Sequence, residues 1–401
     1  MIAQIQPKFI KAGCEFVSAG IGADLNSTWC RLQSNKETGS LFLRVAGNTV
    51  YQACIPAKVI RDGLVFVHGK VLVELIGKLK NEFLKMPMNL VEQNQQLVIT
   101  NGANNGYQYE LPVSLIEQAG DFYGPELAAF KLTAGQLLEV IAGMKAIKEA
   151  ESDTDLPTCE VFQFGMEGRL QFVGITRLRS ISSWVDADCL QQYPNGAAHF
   201  HLAIEDLVKM EKALKLVVKD AGKEGAVEVE IKVWSNNVEF GFGSNLIHSC
   251  RVGLRRVLKD RSNINNLIGI CRRTENIKAK AVLPGDKFKQ AFDRLDAFGK
   301  RNDSSHHRVD FELTSSELKM VAFGQGVGYG REVIEVEAKN YTKDSVIRFA
   351  AAGNKLSEIL RISKYGKVDL ALGNRNILIE WRGEEAGIEH LALLAGMRVA
   401  E

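Results

Sequence analysis

The run GKVLVELIGKLK at residues 69–80, followed by MNLVEQNQQLVIT at 88–100, reads as an amphipathic helix leading into a two-strand hairpin. Leu72, Leu75, Ile76 and Leu79 recur at helical spacing, and Lys70, Lys78 and Lys80 lie mostly off that stripe. In the second run apolar residues alternate on either side of Asn94, the signature of strands with one buried face meeting at a turn. The cassette returns twice. IEDLVKMEKALKLVVK (204–219) precedes VEVEIKVWSNNVEFGF (227–242), and NKLSEILRIS (354–363) precedes VDLALGNRNILIEW (368–381). Asn94, Asn236 and Asn374 stand near the three turns at almost equal intervals, so the chain is a threefold repeat.

Each repeat holds a second helix upstream of its cassette. These are expected over Pro7–Ser18, striped by Ile10, Cys14 and Val17; over Thr133–Glu149, striped by Leu137, Ile141, Met144 and Ile147; and over Asp286–Phe298, striped by Phe288, Phe292, Leu295 and Phe298. Thr133 is expected to cap the second of these, with Gln136 answering at the third helical position. Alternating strands follow every one, among them SLFLRVAG (40–47), GRLQFVGI (168–175) and ELKMVAF (317–323). Helix, strands, helix, hairpin, repeated three times, predicts an α+β fold with antiparallel sheets and helices gathered on one face. The stretch from Gly253 to Pro284, with short apolar runs, is open to strand or helix.

A length of 401 residues suits two or three domains, and 46% apolar with 24% charged residues is ordinary for a globular chain. No apolar run reaches the ~18 residues of a membrane helix, and the N-terminal MIAQIQPKFIKAGCEF does not read as a secretory signal. The seven cysteines, without close-pair spacing, are expected to be free thiols. A net charge of +2 conceals a basic run from Arg251 to Lys280, opposed there only by Asp260 and Glu275. That run is either a polyanion surface or a solvated connector.

Catalytic patterns are missing their context. Gly324, Gly326, Gly328 and Gly330 follow an apolar strand, but REVIEVEAKN after them alternates like a strand, so a hairpin loop is expected and not a phosphate cradle. His199 and His201 could share a strand face, but no nearby cysteine or carboxylate completes a convincing metal set, and His306-His307 sits in a polar connector. No metal site, cofactor or catalytic residue is therefore expected.

PAKVIRDGLVFVHGKVLVELIGKL, VEVEIKVWSNNVEFGFGSNLIHSCRV, LPGDKFKQAFDRLDAFGKR with FELTSSELKMVAF, and the terminal Ala395-Gly396-Met397-Arg398-Val399 resemble, in order and register, the bacterial sliding clamp family, the beta subunit of DNA polymerase III. The likeness spans nearly the whole chain. It implies three clamp-type domains, at 1–125, 126–272 and 273–401, with antiparallel sheets outside and helices lining a ring. The implied function is a non-catalytic processivity factor, a head-to-tail homodimer through domains 1 and 3 that encircles double-stranded DNA. It would tether DNA polymerase and clamp loader through short peptides, in the cytoplasm at the nucleoid. The alternative is a clamp-derived regulatory or structural protein that binds replication proteins without encircling DNA.

On this reading Lys70, Lys78, Lys209, Lys212, Lys289, Lys355 and Arg361 face DNA. Ile175, Leu178, Arg179, Leu378, Met397 and Arg398 line the partner-peptide cleft. Arg179, Met397 and Arg398 match family positions. The Asp-Gly-His of the family's domain-two motif and the first Met and Pro of its tail are replaced, so the cleft is expected to have diverged.

Overall fold

The computed structural model describes residues 1–22, 28–79, 86–101, 106–114, 124–147, 157–164, 168–176, 179–192, 198–222, 227–299, 308–324, 328–340, 342, 345–362, 366–385 and 387–397. One order of elements occurs three times in it. The first repeat runs β1 (Ile2–Ile5), α1 (Pro7–Val17), β2 (Trp29–Asn35), β3 (Ser40–Ala46), β4 (Thr49–Pro56), β5 (Lys58–Arg61), β6 (Gly63–His68), α2 (Gly69–Gly77), β7 (Met88–Gln93), β8 (Gln96–Thr100) and β9 (Gln108–Pro112). The second runs β10 (Glu126–Thr133), α3 (Ala134–Lys145), β11 (Thr158–Phe164), β12 (Arg169–Ile175), β13 (Arg179–Val185), β14 (Asp188–Gln191), β15 (His199–Ala203), α4 (Ile204–Ala221), β16 (Glu228–Trp234), β17 (Asn237–Phe242) and β18 (Ser249–Val257). A helix absent from the repeat, α5 (Ile264–Arg272), comes next. The third repeat is β19 (Ile277–Pro284), α6 (Gly285–Gly299), β20 (Arg308–Leu313), β21 (Glu317–Gly324), β22 (Gly328–Glu335), β23 (Glu337–Asn340), β24 (Ile347–Ala352), α7 (Gly353–Ile362), β25 (Lys367–Gly373), β26 (Asn376–Arg382) and β27 (Ile388–Ala395).

Helices α1 and α3 begin where local chemistry says they should. Pro7 opens α1, where a missing N–H costs nothing. Thr133 and Gln136 form the expected reciprocal box: the Thr133 N–H donates to Gln136 Oε1 at 2.9 Å, and the Gln136 N–H to Thr133 Oγ1 at 3.1 Å. The β7–β8 hairpin turns on Asn94 and Gln95, both at positive φ (50° and 59°), as a two-residue turn matched to strand twist requires. Strands β21 and β22 pair antiparallel from Gly324 with Gly328 outward, as expected for a hairpin; Gly326 lies outside the described residues.

Two compact units emerge, each mixing two repeats: Met1–Leu138 with Ala187–Ala198 and Glu205–Arg256, and Glu139–Asp186 with His199–Ile204 and Val257–Glu401. In the first, nine antiparallel strands run in the order β14-β10-β16-β17-β18-β4-β3-β2-β6. In the second, nine run β15-β11-β12-β13-β27-β26-β25-β19-β23. These are the same sheet made twice, the last strand of one repeat pairing with the fourth strand of the repeat before it. Smaller sheets complete each unit: β5-β1-β7-β8-β9 in the first and β22-β21-β20-β24 in the second.

At the first seam Phe16 of α1 meets Tyr51 of β4 and Phe242 of β17 edge-on, with ring centroids 6.1 and 5.8 Å apart. At the second the join is polar: Ser183 Oγ lies 2.9 Å from His390 Nδ1, and His390 Nε2 lies 3.3 Å from Glu139. Cys14, Cys30, Cys54, Cys159, Cys250 and Cys271 are buried free thiols, and Cys189 is half-buried. No helix among the described residues is long and apolar enough to cross a membrane.

The capping box gives a first test. Replacing Thr133 with Ala removes the acceptor for the Gln136 N–H and is expected to cost ~1 kcal/mol; urea unfolding of the intact chain followed by circular dichroism measures it.

Candidate functional site

The lysine-bearing helices expose most of the residues singled out for DNA. Lys70 of α2 and Lys78 at its C-terminal cap are exposed. So are Lys209 and Lys212 of α4 and Arg361 of α7. Lys212 donates to Ser18 Oγ at 3.2 Å, and Ala19, Val208, Lys209, Glu211, Lys212 and Lys215 line an open groove. The α4 amines are not unopposed. Lys209 lies 3.0 Å from Glu205 and 3.5 Å from Asp206, and Lys215 lies 2.7 Å from Glu211. Burial works to lower the Lys209 pKa, but hydrogen bonds and charges from Glu205 and Asp206 outweigh it, and the net shift is upward. Burial in turn raises Asp206 despite Lys209 beside it. Such exposed i,i+4 pairs are worth a few tenths of a kcal/mol and exchange readily for other partners.

Two members of the set are placed differently. Lys355 is only 6% exposed, because it sits in the first turn of α7 on the same side as Leu356 and Ile359, so its expected outward position is corrected. Lys289 of α6 is half-buried and held by Asp293 one turn on.

The cleft residues divide between two faces of the second unit's large sheet. Ile175 and Leu378 lie on one face together with Phe162, Val173, Leu391 and Leu393, all packed against Ile264, Ile268 and Cys271 of α5. Ile175 pairs directly with Ser180 across β12 and β13, so Arg179, next along the strand, projects from the opposite face. There Arg179 is buried and ion-paired with Glu358 of α7, its Nε and Nη2 without hydrogen-bond partners. The grouping of Arg179 with Ile175 and Leu378 is thereby corrected; strand alternation separates residues close in sequence. Met397 donates its N–H to the Ala350 carbonyl at 2.9 Å, tying the segment after β27 to β24. Leu178 and Arg398 lie outside the described residues.

Helix α5 was the feature least visible beforehand, and it covers the apolar face. Its docking is fixed toward its C-terminal end by Arg272, 3.0 Å from Glu380 and stacked 5.5 Å over the Trp184 ring, and by Asn376 Nδ2 donating to Cys271 Sγ at 3.0 Å. Under and around it lie buried polar atoms without partners: both amide atoms of Gln171 and the hydroxyls of Ser180 and Ser182. Asn263-Ile264 with Ile268 and Cys271 at helical spacing was the available signal, but too short to distinguish from a strand.

His199 and His201 of β15 also gain a neighbour that sequence distance concealed. Glu160 of β11 is paired directly opposite His201, and its Oε1 lies 2.7 Å from His199 Nε2 and 3.6 Å from His201 Nε2. The expectation that no carboxylate joins this pair is corrected by the strand register.

Burial pushes the Cys271 thiol pKa up against the lowering effect of the Asn376 hydrogen bond, so its thiolate is scarce at neutral pH. Half-buried Cys189 is expected to be alkylated first. Replacing Ile268 with Ala, which loosens α5, is expected to speed labelling of Cys271 severalfold; mass spectrometry of peptides after timed alkylation reads both.

No family model matches the chain, and no curated protein matches it significantly. Solved structures do. It superposes on the DNA polymerase sliding clamp of Pseudomonas aeruginosa with TM-score 0.79 at 15% identity. For the DNA polymerase III beta subunit of Thermotoga maritima the values are 0.75 and 14%, and for the sliding clamp of Bacillus subtilis 0.78 and 12%. All three comparisons cover 100% of both chains. The chain has the α+β fold of the bacterial DNA sliding clamps over its full length.

Proposed function

We propose that the protein is a sliding clamp, a non-catalytic ring of two chains, with three domains each at 1–125, 126–272 and 273–401, that encircles duplex DNA at the nucleoid and tethers polymerase and clamp loader. The observation that carries this is the twice-made seam. Cys250 pairs with Ala53 where β18 meets β4, and His390 with Ser183 where β27 meets β13. Counting through the repeats, Tyr107 occupies the place of Cys250 and His390, and Glu332 the place of Ala53 and Ser183. Tyr107 immediately precedes β9 and Glu332 lies on β22, and both strands are rims of their sheets.

A second copy supplies the missing partner head to tail. The register that follows sets Arg331 opposite the partner's Gln108 and Gly330 opposite the partner's Tyr109. Apolar side chains wait at both rims: Tyr109 is 36% exposed, Tyr329 69% and Val333 44%. Beside β22 a groove is lined by Lys287, Gln290 and Arg294 of α6, with Arg294 forking onto Glu332 at 2.7 Å twice.

Tyr329→Asp, placed opposite the partner's Glu110, is expected to convert a dimer of about twice the 44.3 kDa chain mass into monomer, read by light scattering at micromolar concentration. A wild-type chain that stays monomeric at high concentration overturns the ring. The hydrogen bond from Arg294 holds the Glu332 pKa below its ordinary 4.5. A depressed carboxylate stabilises above that value and loses its contribution as pH falls through the folded pKa, so the groove is expected to loosen only below pH 4.5.

The DNA-facing set is proposed as Lys70, Lys78, Lys209, Lys212 and Arg361, with Lys289 at its margin. A sliding protein needs diffuse phosphate contacts and no base readout. Replacing the five with Ala together is expected to weaken nonspecific duplex binding and lower its salt slope by roughly 0.9 for each phosphate no longer neutralised; fluorescence anisotropy at several salt concentrations measures this. Partner peptides are proposed to dock over Ile175, Leu378 and Met397, in competition with α5. That cover and the self-paired α4 lysines favour a second reading, a clamp relative that binds replication proteins without DNA; a dimer with no salt-dependent DNA binding would select it.

A further inference from the structure

We propose that Glu160, His199 and His201 bind one divalent transition-metal ion of the zinc class, a structural site apart from the DNA-facing and peptide-docking residues. The ligand set is built by the sheet. His199 and His201, two apart on β15, project from one face, and β11 places Glu160 directly opposite His201. One oxygen or nitrogen from each lies within 4.8 Å of the others. Donors on a tetrahedral ion with bonds of about 2.0–2.1 Å sit roughly 3.3 Å apart, and the two observed separations from Glu160 Oε1, 2.7 and 3.6 Å, straddle that value.

The second observation is an orphaned atom. Glu160 is 2% exposed, and its Oε2 is buried without any hydrogen-bond partner. Leaving a carboxylate oxygen so placed is costly, and a cation held against the carboxylate offsets that cost for both of its oxygens. The other oxygen is already oriented, because the Ser262 N–H donates to Oε1 at 3.0 Å, the kind of outer contact that fixes a ligating carboxylate. His199 is held in turn by stacking on Phe162, with centroids 5.1 Å apart, and Arg261 covers the Phe162 ring.

Two imidazoles and one carboxylate suit zinc, cobalt, nickel or copper, and not the all-oxygen shells of magnesium or calcium. Three protein donors leave a fourth position for water. Because Ser262 and Asn263 lead directly into α5, the ion would fasten the approach to that helix onto the sheet. The inference rests on this cluster alone and not on the clamp reading.

The test uses untagged full-length protein stripped with chelator. Co²⁺ titration is expected to give the visible bands of a four-coordinate ion saturating at one per chain, with Zn²⁺ displacing it. Glu160→Gln and His201→Ala are each expected to weaken Zn²⁺ binding by more than the roughly 10–100-fold typical of losing an outer-shell partner. His199→Gln, at a half-exposed residue, does the same if a buried variant fails to fold. No saturable one-to-one binding by the wild type overturns the site. Binding unchanged in Glu160→Gln and His199→Gln does so too, since it places the ion on another of the seven histidines. X-ray absorption of the wild-type zinc complex showing fewer than two imidazoles refutes it independently of any variant.

Discussion

A strand at the rim of a sheet presents a row of N–H and C=O groups that form a ready template for another strand. That template organises this chain. Within each repeat the fourth strand is a rim, and twice it is closed by the last strand of the following repeat, β4 by β18 and β13 by β27. The backbone does the joining, so the side chains at the two seams are free to differ. One seam is aromatic around Phe16 and Phe242, the other a Ser183–His390–Glu139 chain. Shape is preserved while chemistry drifts, which is how full-length superposition survives at 12–15% identity.

The same tolerance governs the surfaces. In the proposed DNA-facing role, phosphate contacts through water-exposed amines need charge near a path and not a fixed constellation, which is compatible with the glutamates that α4 carries among its lysines. The apolar face of the second unit's large sheet is more demanding, because its side chains must be covered. Here α5 covers it, inserted between the second and third repeats where an added segment disturbs no ladder.

How far the sequence could be read follows from the range of the forces involved. Helix stripes, the Thr133–Gln136 box and the alternating hairpins are local, and each was legible. Two kinds of feature were not. Whether Lys355 is outside or Arg179 shares a face with Ile175 depends on a one-residue phase that periodicity over a short element leaves undetermined. The meeting of Glu160 with His201 depends on strand register between segments far apart in the chain, which no local pattern encodes. Helix α5 fell between, its apolar spacing visible but its length too small to choose between helix and strand.

Sharing each large sheet between two repeats has a consequence during synthesis. Strand β4 is complete at Pro56, but β18, which closes its rim, begins at Ser249. At ~5–20 residues per second, that interval of roughly 190 residues lasts on the order of 10–40 s. For that time the nascent chain carries an open, apolar-flanked edge beside the ribosome, and β13 waits similarly for β27. Translation speed and chaperone access while residues 57–248 are being made should therefore affect yield.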